Sequence, residues 1–158
     1  MTTPDRPRYE DDFFAWTQHQ AEVLRSMPAP DNRFDREHVA EEIEDLGKSE
    51  RDAVRSQIRR IIEHFLKLSY SRAEGPRLGW METIDEARET LFDKLTRTLR
   101  RDAEASLDVL YAEGRRRAVR GLTRHDEPDT ADQLPPVCPW SLDEICREDW
   151  YPGPPEPR

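Results

Sequence analysis

The stretch "EEIEDLGKSERD", Glu41 to Asp52, holds the tripeptide Gly47-Lys48-Ser49 with which a phosphate-binding loop ends, and it poses a choice between such a loop and the middle of a long helix. A phosphate loop works because free backbone N–H groups converge from a glycine-rich turn between a strand and a helix. The loop pattern places an earlier glycine where this sequence has Glu42, and Glu41, Glu42, Glu44 and Asp45 would face a polyanion with negative charge. Within a helix the N–H groups of Gly47 to Ser49 are already bonded to carbonyls one turn back. No nucleotide site is therefore expected at Gly47-Lys48-Ser49. A glycine inside a helix costs about 1 kcal/mol relative to alanine, so Gly47 marks either a bend or the close crossing of another helix.

Outward from this stretch, Val39, Ile43, Leu46, Glu50, Val54, Ile58, Ile61 or Ile62, Phe65 and Leu68 recur along one helical stripe from about Asp35 to Ser71. A continuous helix of that extent would be roughly 55 Å long. Asp35 is placed to cap its start. Upstream, Tyr9 to Ser26 has a second amphipathic pattern, with Phe13, Trp16, Gln20, Val23 and Leu24 on its apolar face. Downstream of "GPRLG" (Gly75 to Gly79), a third segment opens near Trp80 and carries Ile84, Ala87, Leu91, Leu95 and Leu99, then Ala103, Leu107, Leu110, Gly114, Ala118 and Leu122. Its phase changes around Arg100 to Ser106, which indicates two helices or one kinked helix. In "CPWSLDEICREDWYPG" (Cys138 to Gly153), Ser141 is an N-cap for one or two turns that end before Pro152.

No stretch alternates with period two over strand length. The expected fold is all-α: a single-domain bundle of about four main helices over residues 9–153, with a short C-terminal helical turn and a proline-rich tail, between flexible ends at 1–8 and 154–158. A chain of 158 residues suits one core.

Five blocks carry a family resemblance: "YEDDFFAWTQHQAEVLR" (Tyr9 to Arg25), "EEIEDLGKSERDAV" (Glu41 to Val54), "EHFLKLSYS" (Glu63 to Ser71), "GWMETIDEAR" (Gly79 to Arg88) and the Cys138 to Gly153 block. In order and spacing they resemble the bacterial domain-of-unknown-function 29 family. That resemblance implies a helical domain and carries over no catalytic residue. The sequence departs from the family pattern at Leu68, where an aromatic residue is usual.

The net charge is −9, with acidic ends and a mildly basic middle, so the ends can fold back on the middle without an outside partner. Met1 to Tyr9 is charged and contains proline, unlike a secretory leader, and no apolar run reaches the roughly 18 residues that span a bilayer. A cytoplasmic location without membrane contact is expected, with Cys138 and Cys146 reduced. Their spacing is not that of a zinc pair, and no cofactor is predicted.

Among the four histidines, His64 stands out because it lies beside Ile61, Ile62, Phe65 and Leu68, where a polar ring needs a partner. It is expected to be a hydrogen-bonded boundary residue. The functional alternative is a polar or metal site that joins His64 to Glu41 or Glu42 in a small metal-dependent or acid–base enzyme. The acidic cluster reads as a solvated face, or as the contact of a cation or of an arginine-rich partner segment. In "RRRAVRGLTRH" (Arg115 to His125), Arg116, Arg120 and Arg124 align on one helical face with Arg117 nearby, a candidate partner-binding row. A nucleic-acid-associated protein held through this arginine row is the second alternative, disfavoured by the net charge and the lack of interleaved aromatics. The leading expectation is a non-catalytic cytosolic protein-interaction or regulatory module that binds a protein partner or a second copy of itself.

Overall fold

The structure is a computed structural model that describes residues 6–28 and 31–155. The expected flexible ends, 1–8 and 154–158, lie in large part outside the described residues. Among the described residues seven helices follow one another: α1 (Phe13–Ser26), α2 (Arg36–Tyr70), α3 (Arg77–Lys94), α4 (Arg97–Ala105), α5 (Leu107–Arg124), α6 (Pro128–Ala131) and α7 (Leu142–Cys146). No strand occurs among the described residues.

The spine is α2, 35 residues without interruption. Asp35 caps it through its side chain and the His38 N–H. Gly47 does not break it. A β-carbon at Gly47 would overlap the Thr17 hydroxyl of α1 and stand 2.7 Å from Gln18 Nε2, so this glycine exists because α1 crosses at that point. The Gln18 amide donates to the Glu44 carbonyl at 3.1 Å, and Arg25 bridges Glu37 and Glu44, which fixes α1 antiparallel to the first half of α2.

The buried seam of α2 runs Ala40, Gly47, Val54, Ile61, Leu68, each one heptad from the last. This corrects the expected stripe in its first half, where Leu46 is 57% exposed and Val39 is also exposed. The reason is the partner: α1 offers the small buried residues Thr17 and Ala21, so close approach selects Ala40 and Gly47 opposite them. Phe13 and Trp16 of α1 are only half-buried and pack edge-to-face or stacked with Tyr9 and each other.

In its second half α2 carries large residues and builds the main core. Phe65, Ile58, Ile61, Ile62 and Leu66 pack against Ile84 and Leu91 of α3 and Leu110 and Tyr111 of α5. The antiparallel course of α3 is pinned by Lys94 to Glu50 at 2.9 Å. The α5 helix runs parallel to α2: Arg55 pairs with Asp102 just before it, Arg59 with Glu113, and Gly121 meets Lys67.

The third sequence segment is three helices rather than two. A break at Leu95 and Thr96 separates α3 from α4, and Ser106 separates α4 from α5. Thr96 caps α4 through the Leu99 N–H, and Asp12 accepts both from Ala15 at the start of α1 and from Thr98 at the start of α4. One carboxylate thus closes two helix ends. Beyond α5, Pro128 opens the short α6, a helix absent from the sequence expectation. The closing α7 has the expected Ser141 cap, strengthened to a full capping box by Glu144.

Candidate functional site

The structure separates the residues proposed for a metal or acid–base site. Glu41 and Glu42 are exposed near the start of α2, and His64 lies about 33–35 Å further along the same helix. No group of three or more His, Cys, Asp or Glu is arranged to hold a metal among the described residues. His64 is half-buried, and its Nδ1 lies 2.8 Å from the Arg60 carbonyl, so Nδ1–H donates within the helix. Burial pushes its pKa below the ordinary histidine range, and nearby Lys67 adds to that. The partner of His64 is therefore its own backbone, not a carboxylate from another helix.

Lys48 of the Gly-Lys-Ser tripeptide pairs with Glu44 at 2.7 Å and approaches Asp45 at 3.7 Å. Lys48 and Arg25 together hold the Glu44 carboxyl down at about 2. The arginine that meets the acidic cluster comes from α1.

Arg116, Arg117, Arg120 and Arg124 all lie exposed on the outer side of α5, where none forms an ion pair with a described residue. Arg25, Arg55, Arg59, Arg60 and Arg100 do form such pairs. The acidic C-terminal segment crosses elsewhere: Asp143 meets Arg100, and Arg115 donates to the Pro135 and Leu134 carbonyls.

A cleft of about 350 Å³ opens where the C-terminal end of α2, the start of α3 and the end of α5 meet, lined by Lys67, Pro76, Trp80, Leu122, His125 and Glu127. Gly121 makes room for the lysine, since a β-carbon there would stand 2.9 Å from Lys67 Cε. Lys67, Ser71 and Glu127 in this cleft are already engaged. Lys67 bonds Glu63 at 2.9 Å, while Glu127 accepts from Ser71 Oγ at 2.6 Å and from the Arg72 N–H at 3.0 Å. Burial pushes the Glu127 pKa up, but these bonds and one from Thr130 outweigh it and leave the carboxyl below its ordinary value. Glu127 sits in a Schellman-type ending of α5: its N–H bonds the Leu122 carbonyl across Asp126, whose φ is 61°.

A family model described as a domain of unknown function, DUF29, matches residues 8–151. The chain belongs to the DUF29 family. A crystal structure of an α-helical protein of unknown function from Rhodospirillum rubrum ATCC 11170 is similar, with 27% identity and a TM-score of 0.77 over 92% of this chain and 93% of that one. No curated protein matches the chain.

In this DUF29 chain the Cys138 to Gly153 block is locked to the bundle by a residue that sequence reading passed over. Arg88 of α3 is 4% exposed and donates from Nε to the Ile145 carbonyl at 3.0 Å and from Nη2 to the Glu144 carbonyl at 3.3 Å. Its guanidinium lies 5.4 Å from the Phe65 ring centre and 5.5 Å from that of Tyr151. Trp140 and Trp150 pack edge-to-face on Phe65. In the sequence Arg88 stands four residues after Ile84 and three before Leu91, on the same buried face of α3. Cys138 donates its thiol to the Trp140 carbonyl, and burial pushes both thiols above their ordinary value, so neither is poised as a nucleophile.

Proposed function

We propose that this DUF29 protein is a non-catalytic cytosolic interaction module that docks an acidic segment of a protein partner along α5. The observation that carries this reading is the row Arg116, Arg117, Arg120 and Arg124, exposed and without ion pairs to the described residues in a chain of net charge −9. An acidic helix or strand laid along that row would gain several charge-assisted contacts and be steered to it from a distance. The engaged state of Lys67 and Glu127 supports a binding role over an acid–base one.

The test is gentle isolation of the protein from its host at low salt, beside the variant Arg116→Glu/Arg120→Glu/Arg124→Glu. The expected result is one protein near one-to-one with the wild type, released at about 0.5 M salt and absent from the variant. A partner retained equally by the variant, an eluate rich in nucleic acid by its 260/280 nm absorbance, or no partner at all would overturn the proposal.

A further inference from the structure

The hairpin of α1 and the first half of α2 carries apolar residues that belong to no core. Its buried residues are the small Thr17, Ala21, Ala40 and Gly47, and neither alanine joins the main apolar cluster, which begins on α2 at Val54. Of the larger apolar side chains described in the hairpin, Phe14 alone packs on that cluster. One edge of the hairpin is sealed by polar contacts, Gln18 and Arg25 of α1 against Glu37 and Glu44 of α2. At 3.6 residues per turn, the opposite edge then carries Phe13, Trp16, Gln20 and Val23 of α1 and Val39, Ile43 and Leu46 of α2, spaced three and four residues apart. Those spacings are the seam of a coiled coil with one polar position, Gln20. Tyr9 covers part of Phe13 and Trp16, while Val39 is exposed and Leu46 is 57% exposed.

We propose that this open edge is the interface of a homodimer, in which two hairpins pack face to face as a four-helix bundle. Burial of the seam removes from water the apolar side chains that a single hairpin leaves there. The acidity of the hairpin does not oppose it. Glu37 and Glu44 lie on the sealed edge with Arg25, and the same helical spacing turns Glu41 and Asp45 to the back of α2. The rims of the open edge carry opposite charges. Glu42 stands on the α2 rim, and Arg6 on the α1 rim, where Arg6 and Pro7 fold back beside His19, Gln20 and Val23. Counted from the crossing of Thr17 and Gly47, Glu42 is level with Glu22, and so with the stretch of α1 that Arg6 flanks. A two-fold axis along the helices lays α1 of each copy on α2 of the other and sets Arg6 beside Glu42 of the second copy. The axis across the helices sets Glu42 against Glu42. Charge selects the first, a closed and self-complementary interface. It lies apart from the arginine row of α5 and is independent of the partner proposal.

The experiment is sedimentation equilibrium of the full chain from about 1 to 200 μM. The expected result is a species of twice the 18.6 kDa chain mass that persists at about 0.5 M salt, with a melting temperature that rises with protein concentration. Val39→Glu/Leu46→Glu changes two positions exposed in the single chain, keeps the helical circular dichroism, and should weaken dimerisation by about hundredfold or more. Arg6→Glu should weaken it by about tenfold, and Arg6→Glu/Glu42→Arg should recover most of that loss. Phe92→Glu, on the exposed side of α3, and Arg116→Glu/Arg120→Glu/Arg124→Glu should leave the mass unchanged. A monomer at every concentration, a dimer unmoved by Val39→Glu/Leu46→Glu, or a double reversal no tighter than Arg6→Glu would overturn the proposal. So would a monomer that dimerises only after removal of residues 1–5, which would assign the edge to the chain's own start.

Discussion

Gly47 of α2 lies directly beneath Thr17 of α1, so close that the glycine hydrogen occupies the space a methyl group would need. Thr17 is fully buried there, and its hydroxyl donates to the Phe14 carbonyl at 2.7 Å. The crossing leaves no slack. Gly47→Ala, which in an isolated helix would be favourable by about 1 kcal/mol, is expected here to destabilise by about 1–3 kcal/mol through overpacking. Urea denaturation measures it, and Thr17→Ala in the same chain should restore part of the loss, because it removes the hydroxyl that the new methyl strikes.

Glu127 joins the end of α2 to the turn after α5 through Ser71 and the Arg72 N–H. Glu127→Gln places an amide donor against one of those donors and should cost about 1–3 kcal/mol. The pH dependence follows from the lowered pKa. A carboxyl held below its ordinary value of 4.5 in the folded state contributes stability that is fully present above that value and is lost as pH falls through the folded pKa. Acid denaturation curves of the wild type and Glu127→Gln should therefore converge at low pH, and parallel curves would contradict the assignment.

Two histidines of α2 should titrate in opposite directions. His38 is raised above 6.5 by its hydrogen bond with Asp35, and His64 is lowered below 6.5 by burial. Stability linked to His38 is present below 6.5 and lost as pH rises through its folded pKa. Stability linked to His64 is present above 6.5 and lost as pH falls through its folded pKa. Imidazole chemical shifts followed from pH 5 to 8 should order the two midpoints accordingly. His64 should also show its proton on Nδ1.

Reversing Arg116, Arg120 and Arg124 to glutamate should change folding stability by no more than about 0.5 kcal/mol per site, since exposed residues without partners contribute little. Arg59→Glu, by contrast, places a carboxylate opposite Glu113 and should cost more. Melting curves of the two variants separate a binding row from a structural one.

The seam of α2 shows where the sequence alone was sufficient. From Val54 to Leu68 the residues are large and apolar, and their spacing identified both the helix and its buried face. In the first half the same spacing pointed to Val39 and Leu46, whereas Ala40 and Gly47 are buried, because small residues carry no apolar signal until the crossing helix is known. Arg88 was missed for the converse reason. A charge on an apolar stripe reads as surface until the carbonyls of Glu144 and Ile145, more than fifty residues away, are seen to receive it.

Caps, periodicity and the absence of alternating runs are local properties, and from them the sequence by itself determined an all-helical fold, the ends of its long helix near Asp35 and Ser71, and the place of Gly47-Lys48-Ser49 inside that helix. The division of the third segment at Thr96 and Ser106, the distance that parts His64 from Glu41 and Glu42, the burial of Arg88 against the Glu144 and Ile145 carbonyls and the row on α5 without ion pairs to the described residues were decided by the tertiary structure alone. Each of these depends on which helix lies against which, and that is set by the packing of side chains distant in the chain rather than by any spacing within it.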